Sequence, residues 1–258
     1  MKVLILGKNG MLGHKVYNYF KNRNYEVKGT TRNEYEVDKD NIEDIIKEVK
    51  PDVVINCIGI LNKQCEDNKL LAIKVNTLLP HQLDYLSDKY NYYFIQVSTD
   101  CVFNGKEGNY IETSIPNAES FYGRTKALGE INNNKNVTLR TSIIGPDDKD
   151  GIGLFQWFMK QKKEVNGYSK VIWTGITTIE LAKQMEVAIN NHLTGIQHVV
   201  NNDFISKKDL LELFKKYYNK DINIIDDDSI VSNKTLIRTN LSYNFNIPSY
   251  EEMIERMF

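Results

Sequence analysis

The sequence predicts an α/β protein, a doubly wound parallel sheet with a small lobe toward the C-terminus. Three observations predict it. Strand-like and helix-like segments alternate from the first residues onward. The first strand ends in a glycine-rich turn that opens a helix. The run PDVVINCIG is apolar on both faces, as a parallel strand covered by helices on both sides must be.

The elements follow in order. KVLIL is a short apolar strand, and MLGHKVYNYFKN has helical spacing through Leu12, Val16, Tyr19 and Phe20. YEVKGT is a second strand, NIEDIIKEVK a helix and PDVVINCIG the third strand. KLLAIKVNTLLPHQLDYLSDKY reads as one long helix with Pro80 inside it. NYYFIQVS is the fourth strand, YGRTKALGEIN a helix and NVTLRTSII the fifth strand. Right-handed crossovers then place helices on both faces. Beyond GPDD, GLFQWFMKQ reads as a helix, and TTIELAKQMEVAINN as another with a threonine near its start. GIQHVVN is a strand, SKKDLLELFKKYY a serine-capped helix and PSYEEMIERMF a short helix. The expected division is a dinucleotide-binding domain over residues 1–145, to which segments near 175–200 return. Residues 146–174 and 201–258 form a smaller substrate-binding lobe over the carboxyl edge of the sheet.

Composition narrows the function. The 258 residues carry 33 Lys and Arg against 34 Asp and Glu, with no long run of one sign. That excludes an electrostatic case for a nucleic acid polymer or an anionic membrane. No apolar run approaches the length of a membrane span, and the apolar start stops at Gly7, which reads as a strand and not as a signal peptide. The three cysteines, Cys57, Cys65 and Cys101, are irregularly spaced, which suits packing thiols in a reducing, cytoplasmic setting. The four histidines have no metal-ligand spacing, and no metal is expected. Trp157 and Trp173 read as lobe core, with Trp173 bordering a loop of interest.

In GKNGMLG, Gly7, Gly10 and Gly13 stand at G-x-x-G-x-x-G spacing between strand and helix. Glycines there allow a tight turn, close approach of the backbone to a pyrophosphate, and close packing of helix on strand, while the helix N-terminus faces the phosphates. This assigns Gly7, Asn9, Gly10, Met11, Leu12 and Gly13 to a Rossmann-type cofactor loop. The second strand ends in Thr30, Thr31 and Arg32 with no acid for a ribose diol. That favours NADPH over NADH, with Arg32 facing the 2′-phosphate beside Thr31. Asp38 is placed at the adenine edge.

STDCVFNG leaves the fourth strand where ligands bind in such folds, and YGRTKALGE puts Tyr122 and Lys126 four apart on one helix face. An ordinary tyrosine, with a pKa near ~10, is a poor acid-base group at neutral pH. A neighbouring ammonium is expected to lower it. Thr99 or Ser98 is placed to hydrogen-bond a substrate carbonyl while Tyr122 donates the proton.

On GKNGMLG, VSTDCVF and YGRTKALGE, with PDVVINCIG, VNTLLP, LRTSIIG and TGITTIELA in the same order, the chain resembles the extended short-chain dehydrogenase/reductases. Within them it is most similar to the dTDP-4-dehydrorhamnose reductase group. The resemblance covers nearly the whole length, most strongly residues 1–145. It implies NADPH and reduction of the 4-keto group of a nucleotide-activated 6-deoxyhexulose, linked to dTDP or UDP, for polysaccharide sugar biosynthesis. It implies Thr99, Tyr122 and Lys126 as the catalytic triad. Cys57, Ile58, Gly59, Asn76 and Val97 would stand near the cofactor, with Ser142 and Ile143 beside the nicotinamide. Ser98, Thr99, Asp100, Cys101, Val102 and Tyr122 would line the substrate, joined by Trp173, Thr174 and Gly175 of the sugar loop. Three features depart from the family's pattern. Cys101 stands where the family commonly has tyrosine. The first helix carries His14 and Lys15 instead of a glutamate that in some members binds magnesium across a dimer. The C-terminal lobe is short. A homodimer is the assembly left open.

Competing readings differ at single residues. A 4,6-dehydratase on this scaffold carries glutamate after the aspartate of the hydroxyl segment, whereas Asp100 is followed by Cys101. A 4-epimerase shares the triad but retains its NAD. A non-catalytic regulatory subunit of methionine adenosyltransferase is the binding-module alternative, against which the intact triad weighs.

Overall fold

The computed structural model describes residues 1–147, 153–241 and 243–258. The first half alternates as its periodicity requires: β1 (Lys2–Leu6), α1 (Met11–Lys21), β2 (Glu26–Thr30), α2 (Ile42–Val49) and β3 (Val53–Asn56). Next come α3 (Asn62–Asp67), α4 (Lys69–Ile73), a π-helical turn (Lys74–Leu78), α5 (Leu79–Tyr90), β4 (Tyr93–Thr99), α6 (Phe121–Leu128), β5 (Val137–Thr141) and β6 (Ile143–Ile144). The second half contains α7 (Leu154–Lys160), β7 (Glu164–Tyr168), β8 (Val171–Trp173), β9 (Ile176–Thr177), α8 (Thr178–Asn190) and β10 (Gly195–His198). It closes with β11 (Ile205–Ser206), α9 (Lys207–Tyr217), β12 (Asn223–Asp227), β13 (Ser232–Asn233) and α10 (Tyr250–Glu255).

Six strands form one parallel sheet in the order β10-β5-β4-β3-β1-β2. Chain order reverses between β1 and β3, so the carboxyl ends of those strands open onto a crevice. The doubly wound α/β class is thereby borne out. β3, β4 and β5 are buried along nearly their whole length. One core cluster joins α1 and α8 to one sheet face and continues into the lobe through Phe155, Phe158 and Phe214, while a second packs α2 and α5 on the opposite face.

The long helix expected over residues 69–90 is broken. Proline has no N–H for the carbonyl four residues back, and Pro80 stands in the first turn of α5 after the π turn. The carbonyl four residues before it belongs to Asn76, inside the π turn. α6 packs closely against it, because a Cβ on Gly129 would fall 1.9 Å from that carbonyl oxygen. Gly129 thus lets the helix bearing Tyr122 approach the turn bearing Asn76.

The lobe contains short pairings that periodicity did not predict. β7 pairs with β12, and a three-stranded sheet runs β11-β8-β13. β6, leaving the main sheet, pairs with β9. Trp173 is core, as expected, at 2% exposure, but Trp157 is 42% exposed and not in the core. Among the described residues no helix is long and apolar enough to cross a membrane.

Candidate active site

The glycine loop is a cradle set by close approach. Gly7 has φ +78°, and the Gly7 and Lys8 amides both donate to the Thr30 carbonyl, at 3.1 and 2.9 Å. A Cβ on Gly13 would meet the Gly7 carbonyl oxygen at 2.1 Å, so only glycine lets α1 begin there. Gly10 caps α1 with no side-chain hydrogen bond and no acid in the first turn. The first-turn amides and the positive end of the helix dipole are left for an anion.

A cleft of about 550 Å³ opens from this loop. Gly7, Asn9, Gly10 and Met11 line one end, Thr31, Arg32 and Asp38 another, and Cys57, Ile58 and Gly59 the floor. Leu12 faces the core, so only its amide serves the loop. At the end of β2 the buried Thr30 hydroxyl oxygen has no hydrogen-bond partner among the described residues. The open cradle, the orphaned hydroxyl and the elongated cleft fit a dinucleotide.

Sequence reasoning missed Glu34. Its carboxylate accepts the Thr31 amide at 2.6 Å and the Lys8 ammonium at 3.2 Å, beside Arg32. Hydrogen bonds from Thr31 and the Lys8 charge hold it below the usual carboxylate range. The ribose end therefore contains an acid as well as Arg32, placed by a turn instead of by the strand end.

Asn76 is corrected from a cofactor contact to a clamp. Its amide spans the Ile60 backbone on both sides and donates to the Thr125 hydroxyl at 3.2 Å, so its polar atoms are spent inside the protein. It holds the 57–60 loop that floors the cleft. Ser142 and Ile143 are partly exposed beside β9, and the Ser142 carbonyl accepts the Ile176 amide.

At the carboxyl end of β4 the Thr99 hydroxyl donates to Asp100 at 3.1 Å and accepts the Cys101 amide. The same hydroxyl lies near enough to Tyr122 to favour its ionised form. Lys126, one turn along α6, donates to the Val97 carbonyl at 2.6 Å. Burial brings its pKa down to about 8, against which the Glu130 charge works. The three triad side chains therefore meet at one sheet edge. The expected lowering of Tyr122 is not found: burial, Cys101 and Asp100 push its phenol up, and only the Thr99 hydroxyl opposes them. The Lys126 ammonium gives one of its three N–H groups to Val97 and is not among the groups that move the Tyr122 pKa.

Two hydroxyl-segment residues are corrected. Ser98 is 4% exposed and donates at 2.6 Å to Glu130, away from the cleft. Strand alternation explains this, since Ser98 and Thr99 point to opposite faces. Val102 is fully buried with Phe103, Tyr110, Val200 and Leu236. In the sugar loop, Trp173 and Thr174 are also buried, and the Thr174 hydroxyl accepts the Leu236 amide. A Cβ on Gly175 would lie 2.2 Å from both the Ser142 carbonyl oxygen and the Trp173 ring. The loop's described contacts are thus mainly structural.

Beneath the triad lies a charge network that sequence alone did not single out. Arg140 of β5 meets Glu130 with two hydrogen bonds, 2.8 and 2.6 Å, and both side chains are nearly inaccessible. Its remaining arm lies 3.0 Å from His198 Nε2, while His198 Nδ1 faces the Ile237 carbonyl at 2.8 Å. Burial and the Arg140 charge bring the His198 pKa down to about 4.

A family model described as the RmlD substrate binding domain matches residues 1–228. The Bacillus subtilis spore coat polysaccharide biosynthesis protein SpsK is 27% identical over 213 residues, covering 80% of this chain and 75% of that protein. A dTDP-4-dehydrorhamnose reductase of Aggregatibacter actinomycetemcomitans is 34% identical over 149 residues, 55% of this chain and 51% of that protein. Methionine adenosyltransferase 2 subunit beta of Xenopus laevis is 31% identical over 159 residues, 57% and 48% of the two chains. The matched segments thus span about half the length of the last two relatives. The crystal structure of a Bacillus anthracis dTDP-4-dehydrorhamnose reductase in complex with NADP superposes with a TM-score of 0.87 at 23% identity, over 99% of this chain and 98% of that one, a likeness of fold.

Proposed function

This chain belongs to the RmlD substrate binding domain family, and we propose that it reduces the 4-keto group of a nucleotide-linked 6-deoxyhexulose with NADPH. The observation that carries the reading is Thr99 at the carboxyl end of β4, with Tyr122 near its hydroxyl and Lys126 fixed on the Val97 carbonyl of the same strand. The Gly7–Gly13 loop and the first-turn amides of α1 hold the pyrophosphate, and Arg32 with Thr31 takes the adenosine ribose end. When bound, NADPH supplies the reducing equivalent.

The chain's own residues supply binding and the proton. The Thr99 hydroxyl turns its one proton from Asp100 to the substrate carbonyl oxygen, and Tyr122 gives that oxygen its proton. The phenol is protonated at neutral pH, and the upward push of burial, Cys101 and Asp100 works against its giving up that proton, so the step relies on the developing alkoxide as a strong acceptor. The tyrosinate left behind regains its proton from solvent. Lys126, fixed on Val97, keeps a positive charge beneath the site. The product supplies polysaccharide sugar biosynthesis, in keeping with the spore coat relative.

A second reading, an NADP-binding subunit without turnover, is favoured by the likeness to methionine adenosyltransferase 2 subunit beta. One experiment separates the two. Purified protein is mixed with NADPH and a panel of dTDP- and UDP-linked 4-keto sugars, and absorbance at the reduced cofactor's band is followed. Oxidation of NADPH by the wild type, lowered by about 100-fold or more in Tyr122→Phe, supports the reductase. Cofactor binding with no turnover on any panel member supports the binding subunit.

A further inference from the structure

The lobe sheet sets two lysines on either side of one strand. β8 lies between β11 and β13, in the register Ile205↔Trp173 and Asn233↔Ile172. Lys207 follows β11 directly and Lys234 follows β13 directly. Lys234 Nζ lies 3.6 Å from Cys101 Sγ, two residues from the Thr99 hydroxyl. Lys207 Nζ lies 4.9 Å over the Trp173 ring, and the Asp100 carboxylate favours its charge. One ammonium therefore borders the end of β4 at Cys101, and the other is influenced by Asp100, one residue before it.

The setting is built. Tyr110 and Ile237 exchange backbone contact across the Tyr110–Leu236 bridge, Asn233 donates to the Gly105 carbonyl at 2.7 Å and the Leu236 amide donates to Thr174. Gly105 lets the 104–110 loop lie on the Lys234 stem, since a Cβ there would stand 2.9 Å from Lys234 Cγ. Lys207 is fixed by the Ser206 cap of α9. Yet the charges go unanswered. Among the described residues neither lysine has a carboxylate within 4.0 Å, and the Asp100 charge acts on Lys207 only from farther away. Burial lowers the Lys207 pKa, the mark of a cation short of an anion. The indole N–H of Trp173, 2% exposed, is also unpartnered.

We propose that Lys207 and Lys234 form a two-pronged clamp that takes an anionic group of the substrate, a pair of phosphate or carboxylate oxygens, beside the carbonyl-binding hydroxyl. The proposal rests on the sugar nucleotide reading and specifies where that substrate's charge is read. An ammonium is a point charge with rotatable donors, so two of them accept either oxygen pair. The two sources differ in position: the diphosphate lies beyond the sugar, and a carboxylate would be carried on the sugar itself.

The test is calorimetry on NADP⁺-loaded protein with UDP, dTDP, UDP-glucose, dTDP-glucose and UDP-glucuronate, none of which needs turnover. Lys207→Met and Lys234→Met should each weaken binding about 10- to 100-fold, the loss of one charge-assisted contact. Loss for every nucleotide, the bare diphosphates included, identifies the diphosphate as the clamped group. Loss confined to UDP-glucuronate, with the wild type favouring it over UDP-glucose, identifies a sugar carboxylate. Lys207→Arg and Lys234→Arg should retain most of the affinity. Methionine variants within two-fold of wild type, arginine variants as damaged as the methionine ones, or a wild type that binds none of the five ligands would overturn the proposal. A protein that binds these nucleotides but never oxidises NADPH would sink the reductase reading and leave the clamp standing.

Discussion

Glu130 and Arg140 form a bidentate ion pair, 2.8 and 2.6 Å, buried directly behind the strand end that presents Thr99. The same Glu130 oxygen that takes Arg140 Nε accepts the Ser98 hydroxyl at 2.6 Å. Removing one partner of such a pair leaves a charge in the interior and costs roughly 3–5 kcal/mol. Arg140→Met is therefore expected to lower the denaturant midpoint sharply. Ser98→Ala, which spares the pair, should lower the unfolding free energy by about 1 kcal/mol and move the midpoint only slightly. Equal midpoints for wild type and Arg140→Met would show that the pair contributes nothing net.

A pH dependence follows from Lys126. Its folded pKa of about 8 lies below the usual ~10.4. Turnover that needs the ammonium falls as pH rises above 8. Stability moves the other way: from pH 8 to about 10 the unfolded chain holds a proton that the folded one has released. Folding therefore gains as pH rises through that window, by up to roughly 3 kcal/mol from this group. Lys126→Met should remove that rise in a pH series of melting curves. Activity and stability falling together above pH 8 would contradict the assignment.

Glu130 also raises the Lys126 pKa. Glu130→Gln should move the alkaline limb of the activity profile to lower pH, whereas a purely structural loss lowers the profile without shifting it.

Gly175 is expected to fail on substitution for stability and not for substrate fit. A Cβ 2.2 Å from the Ser142 carbonyl oxygen forces a backbone shift where β6 meets β9. Gly175→Ala should lose about 1–3 kcal/mol, as overpacking does, with cofactor and sugar-nucleotide binding falling together. A raised KM with an unchanged melting temperature would place the residue in the sugar site instead.

The ribose end carries opposing charges. Arg32→Ala should weaken NADPH binding about 10- to 100-fold and leave NADH nearly unchanged. Glu34→Gln should tighten NADPH binding, because the carboxylate on the Thr31 amide repels a 2′-phosphate. Both differences should shrink as salt rises. Identical titrations of the two cofactors by wild type and both variants would leave these residues no part in selection.

The sequence by itself determined the parallel sheet, the glycine cradle and the hydroxyl segment at the end of β4. Those features are local: glycine spacing sets a turn, apolar runs set strands, and four-residue spacing puts Tyr122 and Lys126 on one helix face. Tertiary structure decided what each polar group faces. Strand alternation turned Ser98 from the cleft to Glu130, and the close approach of α6 at Gly129 set Asn76 as a clamp. The turn after β2 brought Glu34 to Thr31, and the pairing of β11 and β13 with β8 brought Lys207 over Trp173 and Lys234 to Cys101. Such contacts join residues far apart in the chain or depend on turn geometry, and burial then sets their charge. Neither long-range contact nor burial is written in a residue's neighbours along the sequence.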